Sequence, residues 1–344
     1  MAAETMTGGR AGWGPLLLLR SCSVRFTAYY WVGFAAGLSV NDRLDVTWGL
    51  LGVPMWLAYC VGTESVNRLA DREADVINRP ERTRLCEEFG WGRMAAVAVA
   101  SWLVFVLIGA VIVGTHPGYA LPAILLVDIG VAIGYSVGPA FKRHRVLALL
   151  ALTAPLITPL ITGWAVHGDA SHFRAPVLPM VVVLAAFSLG LSGIKDITDV
   201  KGDAKLDYRS LWLVLVRLRR GIAVHAMAGS PVLLVVVFAL FGALPPVATA
   251  VVPLTVLSAF VVVAAARADA PEDRAAAREV MHQHTFFFLM LFLLAAVPTR
   301  ATVVAVIVSA AFWIVSSKSL HWSGGLTKAR LRRWLGLFAV RPEQ

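Results

Sequence analysis

Charge is scarce in this chain. Only 15% of its 344 residues are Asp, Glu, Lys or Arg, with 21 acids against 31 bases. A soluble domain carries roughly a quarter charged residues. With 58% hydrophobic residues and a mean hydropathy of +0.73, the composition excludes an ordinary water-soluble globule. Cysteine is scarce as well. Cys22, Cys60 and Cys86 are scattered, and an odd, unpaired set signals neither a metal site nor a disulfide framework. Low-complexity linkers and a second soluble domain are lacking. Before Arg20 there is only a four-leucine run, too short for a signal-peptide core, so insertion is expected to rely on the first spanning helix.

Long apolar runs are what the chain has instead. They fall at 25–41, 46–70, 91–114, 118–138, 146–167, 175–196, 218–242, 245–266, 281–298 and 301–318. Many approach the ~20 apolar residues that cross a bilayer, and membrane barrels show short alternating segments instead. The expected fold is all-α, a polytopic membrane helical bundle in the lipid bilayer. Alternating ten spans leaves all but Arg43, Arg174 and Arg300 of the 31 basic residues on one side. By the positive-inside rule that side, with both termini, is cytoplasmic. The net charge of +10 is thereby explained by anionic lipid headgroups, and no nucleic-acid partner is expected.

Two loops on the basic side are long and acid-rich. In the first, Asn67, Asp71 and Asp75 are spaced i, i+4, i+8, which puts them on one helix face. Like charges so spaced repel and are costlier at a membrane boundary, so an arginine or a cation must compensate. In the second, Asp196, Asp199 and Asp203 again share a face. The loops follow the second and sixth spans, which hints at an internal repeat of four-helix units. Hard divalent cations such as Mg²⁺ take one or two carboxylates and complete their shell with water and substrate phosphates. Arg79, Arg82, Lys142, Arg143, Lys195, Lys201 and Arg209 lie close by in sequence, with groups that bind phosphate oxygens. One ladder alone reads as a solvated helix end. Two ladders with matching basic loops read as a metal–diphosphate clamp.

The pattern Asn67-x-x-x-Asp71-x-x-x-Asp75 followed by INRPER resembles the UbiA-type intramembrane prenyltransferase family. So do Lys195-Asp196-Ile-Thr-Asp199-Val-Lys-Gly-Asp203 with Arg209-Ser210-Leu211, and Tyr135-Ser136…Pro139…Lys142-Arg143. The similarity covers roughly 20–298. It implies a nine-helix core, an isoprenyl diphosphate substrate, a small and usually aromatic acceptor, and Mg²⁺ held by Asp71, Asp75, Asp199 and Asp203, with Asp196 auxiliary. It further implies diphosphate contacts from Asn67, Arg79, Arg82, Lys142, Arg143, Lys195 and Arg209. Two positions depart from the family pattern: Arg68 stands where Asp is common, and Asp207 where Gly is. The expected organisation is an N-terminal segment 1–24, a prenyltransferase domain 25–298, and an extra helix with a basic tail, 299–344, given no catalytic role.

Other residues keep two readings. Arg79 and Arg82 serve as diphosphate contacts or surface pairs, and Lys142 and Arg143 alone read as membrane anchors. Glu64, one turn before Asn67, and Tyr135 are candidates for an acceptor pocket. Asp128, in mid-span, is a pocket group or a structural hydrogen-bonding partner. His225, His282 and His284 read as satisfied helix contacts, and Phe286–Phe288 as packing. Pro155 and Pro159 are expected to kink the fifth span. A terpene cyclase would use the same clamp. A transporter, which gathers its acids near the membrane midplane, fits only Asp128.

Overall fold

The structure, a computed structural model, describes residues 14–40, 46–116, 119–168, 170–198 and 221–339. A short helix α1 (Gly14–Ser21) precedes α2 (Thr27–Ser39) and α3 (Val46–Ala70). The first charged excursion forms α4 (Arg72–Asn78) and α5 (Pro80–Phe89), and α6 (Trp91–Thr115) and α7 (Ala120–Ser136) follow. Next come α8 (Arg145–Ala165), α9 (Leu178–Leu191), α10 (Gly221–Leu240) and α11 (Leu254–Arg267). The chain closes with α12 (Pro271–Ala296), α13 (Arg300–Ser319) and α14 (Lys328–Gly336). No strand occurs among the described residues.

Each of the ten apolar segments falls on one of these helices. Among the described residues, seven helices are long and apolar enough to cross a membrane, α3, α6, α12 and α13 among them. The apolar stretches Ala120–Ser136 and Ala228–Leu240 are shorter, and α2 has only 13 residues. The brevity of α2 goes with its position. Every side chain from Thr27 to Ser39 except Trp31 is buried, because α3, α8, α12 and α13 surround it.

Between apolar helices in lipid, close backbone approach replaces the hydrophobic effect as the packing force. The α2–α8 crossing shows this. A Cβ on Gly37 would lie 2.1 Å from the Leu160 carbonyl oxygen, and one on Gly163 would lie 2.1 Å from that of Phe34. Only glycine at both positions lets the backbones touch. α8 continues as one helix through Pro155 and Pro159. The missing N–H of Pro155 leaves the Ala151 carbonyl without its helical donor.

The outward faces are greasy. Val99, Leu103, Val106 and Leu107 on α6, and Val304, Ile307, Val308 and Val315 on α13, are exposed. Apolar surface of that extent marks contact with lipid. At the charged end, Leu17, Cys22, Cys86, Phe89 and Met94 form a small cluster that ties α1 and α5 to the start of α6. All three cysteines are free and buried. Burial pushes the Cys86 thiol up to about 11, as expected of an inert thiol.

α13 is no peripheral addition. Its Trp313 is fully buried and stacks on Phe286 of α12, with centroids 4.3 Å apart. α14 folds back over α11 and α12. Arg333 pairs with Asp273 at 3.2 Å and Glu272 at 3.6 Å, and Arg267 donates to the Leu337 carbonyl at 3.0 Å.

Candidate active site

The first acidic motif stands where α3 gives way to α4. The backbone bends at Asp71 (φ −97°, ψ 12°), yet the hydrogen-bond ladder continues through it. Asp71 N donates to Asn67 O at 2.9 Å, Asp75 N to Asp71 O at 2.8 Å, and Arg79 N to Asp75 O at 2.8 Å. The four-residue spacing is therefore realised as a chain of backbone bonds, and Asn67, Asp71 and Asp75 all line one cavity. The residue before a proline is kept out of the α region. Arg79 obeys this before Pro80 (φ −147°, ψ 60°), and the turn brings Arg79 and Arg82 back onto Asp75.

Asp75 is ringed by guanidinium groups. Arg82 Nη2 donates to Oδ2 at 2.6 Å, Arg68 Nη1 donates to Oδ2 at 3.2 Å, and Arg79 Nη1 lies 3.8 Å from Oδ1. Arg68 also reaches back to Glu64 Oε2 at 2.9 Å. With its amide turned to satisfy both ends, Asn67 donates to Asp71 Oδ2 at 2.6 Å and to Ser136 Oγ at 2.9 Å. Lys142, on the 3₁₀ turn Phe141–Arg143 after α7, donates to Asp71 Oδ1. Lys195 donates to the Tyr135 hydroxyl at 2.5 Å. The Asp71 side chain is 22% exposed and that of Asp75 only 8%, so Asp71 is the open oxygen donor.

The cavity measures about 330 Å³. Arg278 and His282 of α12 line it beside the basic groups already named. Tyr29 fixes the α12 wall by donating to the His282 carbonyl at 2.8 Å. The other walls are mainly apolar or aromatic, with Tyr30, Tyr59, Val131, Leu156 and Phe187, and carry the hydroxyls of Thr63, Ser188 and Thr285.

Nine of the candidate site residues named from the sequence line this cavity: Glu64, Asn67, Asp71, Asp75, Arg79, Arg82, Tyr135, Lys142 and Lys195. Arg143 is exposed and is not among the lining residues. Neighbours on a 3₁₀ turn project about 120° apart, so with Lys142 facing inward Arg143 faces elsewhere. Asp128 is not among the lining residues either. It is fully buried, and Thr158 of α8 donates to it, which is the structural one of its two readings. Asp199, Asp203 and Arg209, and the side chain of Asp196, lie outside the described residues, as do Lys201 and the side chain of His225. His284 meets Ser258, with Nε2 and Oγ 2.7 Å apart, while its buried Nδ1 has no hydrogen-bond partner among the described residues, so the expected satisfied contact is met at one nitrogen only. Phe286 and Phe288 pack on Trp313 and Phe187 respectively.

Sequence reasoning did not place three lining groups in the cavity: Arg68, Arg278 and His282, the last read as a satisfied helix contact although its buried Nε2 has no hydrogen-bond partner among the described residues. Arg68 was seen only as a departure from a pattern, yet it joins Glu64 to Asp75. Arg278 and His282 are spaced i, i+4 at the same membrane end as the acidic motif, and that spacing was the available signal. The carboxylates fit a hard cation: Asp71 and Asp75 offer oxygen only, and Mg²⁺ asks for one or two carboxylates when substrate phosphates complete its shell; the Asn67 amide orients Asp71 by donating to its Oδ2. Among the described residues there is no group of three His, Cys, Asp or Glu that makes a closed protein cage.

The model of the UbiA prenyltransferase family matches residues 26–292. Among solved structures, one described as digeranylgeranylglyceryl phosphate synthase in membranes superposes with a TM-score of 0.60 at 15% identity, over 83% of this chain and 99% of that one. A UbiA homologue from Archaeoglobus fulgidus bound to GPP and Mg²⁺ gives 0.58 at 15% identity, over 81% and 99%. The apo UbiA homologue from Aeropyrum pernix K1 gives 0.53 at 15% identity, over 82% and 98%. At such identity the likeness is one of fold. No curated protein matches the chain in sequence. The family match spans well over half of the 344 residues. With its long apolar helices and a charged cavity at one end, this chain is an integral multi-pass membrane enzyme that belongs to the UbiA prenyltransferase family.

Proposed function

We propose that the chain transfers the prenyl group of an isoprenyl diphosphate to a small aromatic acceptor, with Mg²⁺ bound at the acidic motifs. One observation carries this. Among the described residues, six cations (Arg68, Arg79, Arg82, Lys142, Lys195 and Arg278) outnumber three acids (Glu64, Asp71 and Asp75) at one end of the cavity, while the remaining walls are mainly apolar and aromatic. An amphiphile with a compact polyanionic head matches that polarity. The Archaeoglobus homologue that binds GPP with Mg²⁺ supports the same reading.

The reaction breaks the allylic C–O bond, and the electron pair leaves with the diphosphate. Guanidinium and ammonium donors fixed by Asp71 and Asp75 meet the charge that grows on the departing oxygens. Such preorganised donors act strongly where water is excluded. Mg²⁺, when bound, neutralises part of that charge. Asp71 would hold it, with Asp75 after exchange of a guanidinium, and Asp199 and Asp203 from the second motif. Phe26, Tyr29 and Tyr30 present aromatic surface to the allylic fragment, which favours a cation. The acceptor forms its new bond to the allylic carbon, and the proton it displaces passes to the released diphosphate. The cytoplasmic placement of the charged end rests on the positive-inside rule.

Purified protein incubated with Mg²⁺ and isoprenyl diphosphates of ascending length tests this. Diphosphate release that requires an added phenolic or quinone-precursor acceptor supports the transferase. Acceptor-free formation of a cyclic or hydroxylated hydrocarbon at a catalytic rate replaces it with a cyclase. No release and no diphosphate binding removes the reading.

A further inference from the structure

The last part of the chain, beyond the family match at 26–292, reaches back to the charged end of the cavity. After α13 the chain turns at 320–325, and the indole of Trp322 covers the guanidinium of Arg82, 5.7 Å from ring centroid to Cζ. Arg82 is buried, and its hydrogen bonds leave one part of the guanidinium unsupported. Its Nη2 makes the hydrogen bonds to Asp75, and among the described residues its Nε has none. Hydrogen bonds from Nη2 alone fix one corner of the plane and leave its tilt to the groups that pack on its faces. A ring lying against its face supplies the missing restraint, and a desolvated cation–π contact is strong enough to do so.

Trp322 is itself firmly carried. Gly324 and Gly325 adopt left-handed backbone (φ 70° and 64°), and Arg330 of α14 donates to the Ser323 carbonyl at 2.6 Å. The neighbouring His321 is buried, and its Nδ1 accepts from Ser323 N at 3.2 Å. α14 is anchored in turn by the Arg333–Asp273 pair. We infer that Trp322 is a positioning residue for the diphosphate end of the cavity, acting through Arg82, and that the C-terminal extension is thereby part of the catalytic unit. The inference rests on the diphosphate reading above, and Trp322 itself touches no reacting atom.

The test compares full-length wild type, Trp322→Phe and Trp322→Leu, each with Arg82 or Arg82→Gln. Binding of inorganic diphosphate with Mg²⁺ is measured by calorimetry, and kcat and KM for an isoprenyl diphosphate alongside. Leucine fills much of the space without a π face. The expected result is about tenfold weaker binding and higher KM for Trp322→Leu, values within about twofold of wild type for Trp322→Phe, and no further loss from Trp322→Leu in the Arg82→Gln protein. Unchanged binding in Trp322→Leu overturns the inference. Equal loss in the Phe and Leu variants with a lowered melting temperature overturns it in favour of simple packing. An equal loss with and without Arg82 does the same. Wild type that takes up no diphosphate overturns the functional reading and this inference together.

Discussion

Arg25 and Glu279, 254 residues apart in the chain, form a two-pronged ion pair, with Nη1–Oε1 at 2.6 Å and Nη2–Oε2 at 3.0 Å. Trp313 lies over the guanidinium at 4.8 Å, and Gln283 joins the two by donating to Glu279 at 2.9 Å and accepting from the Trp313 indole at 2.7 Å. The cluster locks the entry to α2 against α12 and α13. Removing one partner of a buried pair leaves an uncompensated charge and costs about 3–5 kcal/mol. Glu279→Ala should therefore melt well below wild type in detergent, while Arg25→Met with Glu279→Leu should recover much of the loss. Equal melting of single and double variants would contradict this account.

Asp71 and Asp75 should part company on mutation. Asp71 is the more open and faces Lys142, so Asp71→Ala should cost at least about a hundredfold in diphosphate release and leave the melting temperature close to wild type. Asp75→Ala removes the one carboxylate that three guanidinium groups share. It should lose activity and stability together, because Arg82 then loses the acceptor of its hydrogen bonds and three largely buried guanidinium groups stay crowded without the carboxylate they share. Parallel assays of diphosphate release and thermal melting separate the two outcomes.

Gly163→Ala places a methyl 2.1 Å from the Phe34 carbonyl. Backbone must move to admit it, and overpacking of this kind costs about 1–3 kcal/mol or more. Gly130→Ala on α7 meets nothing within 4 Å and should be neutral or slightly stabilising. Folded yield and melting temperature check both.

His321 gives the fold a pH dependence. Burial, reinforced by Arg25 and Arg278, holds its imidazole well below the ordinary histidine range. The unfolded chain takes up a proton below about pH 6.5 that the folded chain refuses, so the stability from neutral His321 is present above that value and lost as pH falls through it. Melting temperature should drop more between about pH 7.5 and 5.5 in wild type than in His321→Gln. Parallel curves would show that His321 contributes nothing.

Much of this was legible because helices are periodic. The spacing of Asn67, Asp71 and Asp75 located the cavity wall, and the length of the apolar runs located the helices. What stayed hidden depends on contacts that no period encodes. Lys142 and Arg143 are adjacent and chemically alike, and only the turn that carries them decides which faces the cavity. Asp128 carried two readings because its partner, Thr158, lies on another helix. The extension after residue 299 was read as idle because Trp313 and Trp322 stand in no motif, and their partners Arg25 and Arg82 are hundreds of residues earlier.

The enclosure of α2 bears on how the protein is made. α2 leads the ten apolar segments in order of synthesis, yet two of the helices that cover it, α12 and α13, lie at the far end of the chain. Until those two are made, its glycine-notched surface lacks part of its cover. Its final partners arrive one after another, and the seat is complete only once α13 has entered the bilayer. The earliest helix is thus the last to be finished, and a chain cut short before α13 leaves the middle of the bundle open on one side.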